Sequence, residues 1–300
     1  LVRFMAEHAR IPQKPVDFPL AQNDPAWLKA NRTEPTLTWI GHDSFLLQID
    51  GQNILLDPHL TQRASPLPFG RPERWAPPGL DFADLPSIDA VVISHNHYDH
   101  LDLPTVKRLA AEHADSIHFY VPLGLKRWFA GVGIDAVTEL DWWDSVSAGG
   151  LKFHATPVQH SSARTGLDRN RTLWAGWVIR RPGFQFYFAG DTGYSPDFKA
   201  TRERFGPMDL AALPIGAYAP RWFMRGMHVD PDEAVQIFQD LEARYAVGMH
   251  WGTFRLTDED MDEPPRRLAS ALAAAKIPAE RFFVMQHGQT RPLDFLFEGR

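Results

Sequence analysis

Three imidazoles and a carboxylate crowd into six residues of this chain, in the stretch Ser94-His95-Asn96-His97-Tyr98-Asp99-His100. The stretch follows the apolar run Ala90-Val91-Val92-Ile93, which reads as a buried strand with the histidines on its exit loop. As cations these rings would repel one another, and as neutral groups they need partners. A metal ion satisfies all of them at once. The chain has no cysteine, so imidazole and carboxylate must do the binding. The fold therefore has to present this loop on a rigid frame, a common layout in enzymes.

His95 and His97 lie two apart on an extended segment and face the same way, whereas the adjacent Asp99 and His100 diverge. That spacing suits two metal ions better than one. Zinc takes such donors at about 2.0–2.2 Å, and iron or manganese accepts the same set. Two ions about 3.5–4 Å apart can share a hydroxide and clamp the attacking and leaving oxygens of a displacement.

Residues 1–35 are polar and interrupted by Pro12, Pro15, Pro19, Pro25 and Pro35, and read as an extended N-terminal arm. From Thr36 short strands follow at 37–40, 45–49 and 53–56, with Asp50-Gly51 as a hairpin signal. The proline-rich stretch 61–88 reads as a long loop of the kind that caps a site. Further strands are expected at 117–121, 151–156, 172–180, 184–189 and 246–249. Helices are expected from Asp102 onward, at 231–243 and at 263–275. Strands and helices mix without strict alternation, so an α/β fold other than a doubly wound sheet is expected. Asp191, in Gly190-Asp191-Thr192-Gly193, and His250 stand at strand exits like His95.

Three hundred residues with 44% hydrophobic and 23% charged composition describe a soluble globular chain with a sizeable core. A formal charge of −6 without a basic block disfavours a nucleic-acid partner. No apolar run approaches the ~18 residues of a membrane span. The chain begins at Leu1 rather than Met, which leaves room for a missing signal or anchor, and the compartment stays open between cytoplasmic and membrane-peripheral.

The histidine motif, a later His, an Asp in a Gly-Asp context and a last His together resemble the metallo-β-lactamase superfamily. Within it the chain is similar to the N-acyl-phosphatidylethanolamine-hydrolysing phospholipase D family. The stretches that carry the likeness include Trp39-Ile40-Gly41-His42, Leu56-Asp57-Pro58, Arg63-Ala64-Ser65-Pro66 and Glu139-Leu140-Asp141-Trp142-Trp143. Pro214-Ile215-Gly216-Ala217-Tyr218, Pro220-Arg221-Trp222-Phe223-Met224 and His250-Trp251-Gly252-Thr253-Phe254 extend it, over about residues 36 to 287.

The resemblance implies a four-layer αββα sandwich over residues 36–300 and two zinc ions. One ion would sit on His95, His97 and His160, the other on Asp99, His100 and His250, with Asp191 bridging. Asp57 would orient a ligand imidazole. A metal-bridging hydroxide would attack phosphorus, with Asp99 as a possible proton acceptor, and His228 would meet the substrate phosphate. Met227 stands where the lipid phospholipases carry glutamine. The implied substrate is an N-acyl-phosphatidylethanolamine-like phospholipid, with peripheral membrane contact and a homodimer as the implied associations. The alternative is a lactonase or other hydrolase of the same superfamily.

Several residues admit two readings. His42 orients a ligand or packs in the core. His154 alternates with Phe153 and Ala155 in a strand and competes with His160 for the ligand role. His59, His113, His118 and His287 read as structural or surface residues. Trp222, between Arg221 and Arg225, is a lipid-facing rim or a buried segment, and Trp142-Trp143 poses the same choice. Arg164, with Arg169 and Arg171, contacts an anionic substrate or lies on a solvated loop.

Overall fold

The computed structural model describes residues 16–67 and 69–297. Strands β1 (Thr36–Gly41), β2 (Ser44–Ile49) and β3 (Gln52–Leu56) form an antiparallel meander. The β2–β3 turn is the expected one: Asp50 and Gly51 have φ of 50° and 76°, and Ile49 stands opposite Gln52. A two-residue turn with both residues left-handed matches the twist of the strands it joins.

Strand β2 dictates the layering. Phe45, Leu47 and Ile49 enter one buried cluster, while Leu46 enters another with Ile40, Leu55 and Val91. A strand apolar on both faces must be covered on both. β4 (Ala90–Val92), β5 (His118–Pro122) and β6 (Val137–Leu140) extend the sheet in parallel from β3, and β14 (Thr290–Pro292) pairs with β1 at the other edge. In the second sheet β7 (Ser145–Ala148), β8 (Leu151–Thr156), β9 (Gly176–Arg181) and β10 (Phe184–Phe188) run antiparallel. β11 (Leu210–Pro214), β12 (Tyr245–Met249) and β13 (Phe282–Phe283) continue it in parallel. Trp39, Phe45 and Val92 of the first sheet share a core with Phe153, Trp177 and Phe186 of the second.

Helices α2 (Leu103–Glu112) and α3 (Lys126–Gly131) bring Val106, Leu109 and Phe129 to the outer face of the first sheet. α4 (Asp197–Phe205), α6 (Pro231–Asp240) and α7 (Glu263–Ala274) supply Phe198, Ile237 and Leu272 to the core of the second. The architecture is the αββα sandwich. Asp102 and Asp230 cap α2 and α6 through their side chains, each followed by a proline in the first turn.

Three elements differ from expectation. Residues 16–35 are not wholly extended, because Pro25–Ala30 form helix α1 under an Asp24 cap and bury Leu28. Proline is tolerated in a first helical turn, so Pro25 starts a helix there rather than preventing one. Residues 1–15 of the expected arm lie outside the described residues. Helix α6 stops at Asp240, and the left-handed Glu242 (φ 46°) lies just beyond its end. Strand β9 starts at Gly176 because the preceding amides go elsewhere, Leu173 to Leu123 O and Ala175 to Ser94 O.

Candidate metal centre

One edge of the two sheets collects the exits of β3, β4, β8, β10 and β12. They carry Asp57, the Ser94–His100 loop, His160, Asp191 and His250, and the β1–β2 turn adds His42 and Asp43. Asp57, His42 and His250 hold left-handed φ of 36°, 55° and 62°, a backbone state that costs energy outside glycine. Gly190 is required where it stands. A Cβ there would come 2.5 Å from Ser94 Cβ, so only glycine lets the Asp191 loop press against the histidine loop.

Two donor sets result. In the first, His97 Nδ1 lies 2.8 Å from His95 Nε2 and 3.2 Å from His160 Nε2, and Asp191 Oδ2 is 3.8 and 3.6 Å from the latter two. In the second, Asp99 Oδ2 lies 3.0, 3.3 and 3.6 Å from the Nε2 atoms of His42, His100 and His250. Asp191 joins the sets, with Oδ1 2.9 Å from His250 Nε2 and Oδ2 3.1 Å from His100 Nε2. Donors about 2.0–2.1 Å from one tetrahedral ion stand about 3.3–3.4 Å apart, which matches this spacing.

The outer partners fix which nitrogen faces inward. His160 Nδ1 lies 3.0 Å from Met227 O, and a carbonyl only accepts, so Nδ1 carries the proton and Nε2 presents a lone pair. Asp57 Oδ2 receives His100 Nδ1–H at 2.8 Å, and Ser94 Oγ, which itself donates to Asp57, receives His95 Nδ1–H at 2.8 Å. Lone pairs thus converge on a buried space, as orienting partners arrange them at metal sites.

The electrostatics agree. Burial drives the His95 and His160 imidazoles well below their ordinary value. Burial acts the same way on His100 and His250, yet the surrounding carboxylates together outweigh it, Asp191 first with Asp99 and Asp57 at His100 and with Asp43 and Asp99 at His250, holding His100 well above and His250 at about 10. Burial pushes up the Asp99 and Asp191 carboxyls, but His100 overcomes it at Asp99, and His250 with His100 at Asp191, leaving both well below. The pocket draws positive charge inward, and the residues fit divalent ions of the kind that imidazole and carboxylate bind.

His228 faces this pocket: its Nδ1 is 3.9 Å from Asp191 Oδ2 and its ring centroid is 5.2 Å from that of His160. Trp222 is 54% exposed on the one-turn helix α5 (Arg221–Met224), but both flanking arginines pair with Glu233. Arg164 lines a cavity of about 530 Å³ beside Tyr98 and Trp128. Its Nη1 donates to Asn96 O and Leu101 O, and its guanidinium stacks over Tyr98 at 4.0 Å. It clamps the histidine loop. Trp142 is packed in, its indole N–H donating to Trp174 O at 2.7 Å. His287 is structural, bonded to Thr253 and stacked on Trp39, and His59 is fully buried.

His154 lies on the outer side of the second sheet against Phe205, away from both donor sets. Burial, then Lys152, Arg180 and Arg204, bring it down to about 4. It is neutral in the fold but protonates near 6.5 when unfolded, so stability is lost as pH falls from 6.5 toward 4. His154→Phe is expected to flatten that loss while leaving turnover unchanged. Denaturant midpoints at pH 7 and pH 5 check this, and an unaltered acid response contradicts it.

Asp43 was not among the sequence candidates. It is fully buried, and a ligating oxygen of it lies within 4.8 Å of donor atoms of His100, Asp191 and His250. Its position next to His42 was the only available signal, and a carboxylate beside Gly41 also suits a plain turn.

Residues 52–251 match the family described as Beta-lactamase superfamily domain. The chain is 42% identical over 258 residues to N-acyl-phosphatidylethanolamine-hydrolyzing phospholipase D 1 of Caenorhabditis elegans, spanning 82% of this chain and 72% of that protein. It is 38% identical over 238 residues to the mitochondrial N-acyl-phosphatidylethanolamine-hydrolyzing phospholipase D of Saccharomyces cerevisiae, spanning 77% of this chain and 50% of that one. Among solved structures, the metallo hydrolase Igni18 of Ignicoccus hospitalis superposes with a TM-score of 0.65 at 24% identity, over 86% of this chain and 98% of that one.

Proposed function

We propose a substrate and a metal for this chain from one premise: it belongs to the metallo-β-lactamase superfamily, within the family of N-acyl-phosphatidylethanolamine-hydrolysing phospholipases D, and is a metal-dependent hydrolase. The substrate is an N-acyl-phosphatidylethanolamine-like phospholipid, cleaved at the phosphodiester bond to its head group. The metal is zinc, two ions per chain. The observation that carries this is the pair of buried donor sets joined by Asp191. The cavity of about 530 Å³ supports a chain-bearing substrate, for Tyr98 of the histidine loop and Arg164 line it together with Leu67, Asp102, Leu103 and Trp128.

His95, His97, His160 and Asp191 would hold one ion, and Asp99, His100 and His250 the other, with Asp191 serving both. Bound there, the ions supply Lewis acidity, acidifying water and neutralising charge that grows on the phosphoryl group. The chain does the rest. His42 orients the Asp99 carboxylate. His228 is kept neutral at about 4 by burial, and its Nδ1 has no partner among the described residues, so it is available to a phosphoryl oxygen. Arg221 fixes its position by donating to His228 O at 2.7 Å. The exposed indole of Trp222 on that same turn offers an apolar contact for lipid entry.

Incubation with N-acyl-phosphatidylethanolamine, followed by mass spectrometry, is expected to show N-acylethanolamine and phosphatidic acid in equal amounts. Intact lipid beside opened lactones would move the chain to the lactonase alternative.

A further inference from the structure

Asp43 presents an anomaly. Its carboxylate is fully buried, and neither oxygen has a hydrogen-bond partner among the described residues. An unpaired buried carboxylate is costly, and the fold gains nothing from it that serine or alanine would not give. Its neighbours limit what it can do. His100 Nδ1 is 3.6 Å from Asp43 Oδ2, but that N–H is already committed to Asp57 at 2.8 Å.

The other imidazole nearby is His250, one ring nitrogen of which lies within 4.8 Å of an Asp43 oxygen but outside hydrogen-bond distance. Its Nε2 faces inward, 2.9 Å from Asp191 Oδ1. Its Nδ1 is buried and unpartnered among the described residues. The His250 backbone N–H donates to His42 O at 3.2 Å, so the strand exit that carries His250 is registered against the turn that carries Asp43. The inward-facing Nε2 groups of His95, His100 and His160 each have an acceptor behind the ring. His250 lacks one, and Asp43 is a buried acceptor lacking a donor.

We propose that Asp43 is the positioning carboxylate of His250: with the ions bound it would accept the Nδ1–H and thereby fix the tautomer that turns Nε2 toward the metal. Asp57 does the same for His100. The charge of the bound ions is what makes a second buried carboxylate tolerable there. The inference rests on the metal-centre reading above and adds a residue to it.

The test compares Asp43→Ala, Asp43→Asn, His250→Ala and the Asp43→Ala/His250→Ala pair with the wild-type chain, by metal stoichiometry, chelator competition with zinc, and melting with and without zinc. Asp43→Ala is expected to weaken one of two zinc equivalents ~10–100-fold, the usual effect of removing an orienting partner. Asp43→Asn falls between, because its amide oxygen still accepts the Nδ1–H. Stripped of zinc, Asp43→Ala melts no lower than stripped wild type, since Asp43 makes no hydrogen bond in the metal-free chain. In the His250→Ala background, Asp43→Ala changes zinc affinity no further. Zinc held by Asp43→Ala as tightly as by wild type overturns the assignment, and so does a loss that persists undiminished without His250. If the alanine variant does not fold, the asparagine variant decides on the same readouts. A wild-type chain that binds no zinc overturns the metal centre itself, a separate outcome.

Discussion

Asp191→Ala is expected to purify with fewer than two metal ions and to lose turnover on the order of 10³-fold or more, beyond the ~10–100-fold typical of an orienting partner. The reason is its position. Asp191 offers Oδ1 to His250 and Oδ2 to His100, and reaches His95 and His160 of the other donor set. Asp57 also approaches a histidine of each set, but it bonds the Nδ1 side of His100, so removing Asp191 takes from both sets the carboxylate that faces their inward nitrogens. Asp191→Asn keeps the shape and halves the donors, and should retain more metal than alanine but little activity. Full metal content and full rate in Asp191→Ala would refute the bridging role.

Removing the metal should destabilise the whole chain, not only silence it. Each ion present at about 100-fold over its dissociation constant adds ~2.7 kcal/mol to the folded state. Two such ions, at roughly 2–4 °C of melting temperature per kcal/mol, correspond to a drop of about 10–20 °C on chelation. Without them the convergent lone pairs of His95, His97 and His160 face one another in a largely buried space. A differential scan with and without chelator checks the drop, and readdition of zinc should restore both melting and turnover. Coincident melting curves would mean that the donor sets hold nothing in solution.

Much of this centre was legible in the sequence because its chemistry is concentrated. His95 to His100 sit on one strand exit, and Asp191 and His250 also follow apolar runs, so polarity at the end of a strand marks them. His160 was separable from His154 only through family resemblance, for both are lone histidines near one strand. What tells them apart is the 3.2 Å approach of His160 to His97, a contact across 63 residues. The loop contacts of Arg164 were hidden for the same reason: the carbonyls it holds, on Asn96 and Leu101, are more than sixty residues away. Asp43 was invisible because a single carboxylate at a turn explains itself locally. Of the fold, the hairpin at Asp50-Gly51 and the capped starts of α2 and α6 followed from local chemistry. The start of β9 did not, since the amides of Leu173 and Ala175 pair with distant loops.

The most direct test is the metal content of the chain, purified without chelator, stripped and then titrated with zinc under calorimetric and elemental analysis. Two equivalents bound per chain, with turnover of N-acyl-phosphatidylethanolamine returning as the second one fills, is the predicted result. A chain that takes up one equivalent or none, or that turns over lipid while stripped, contradicts the account.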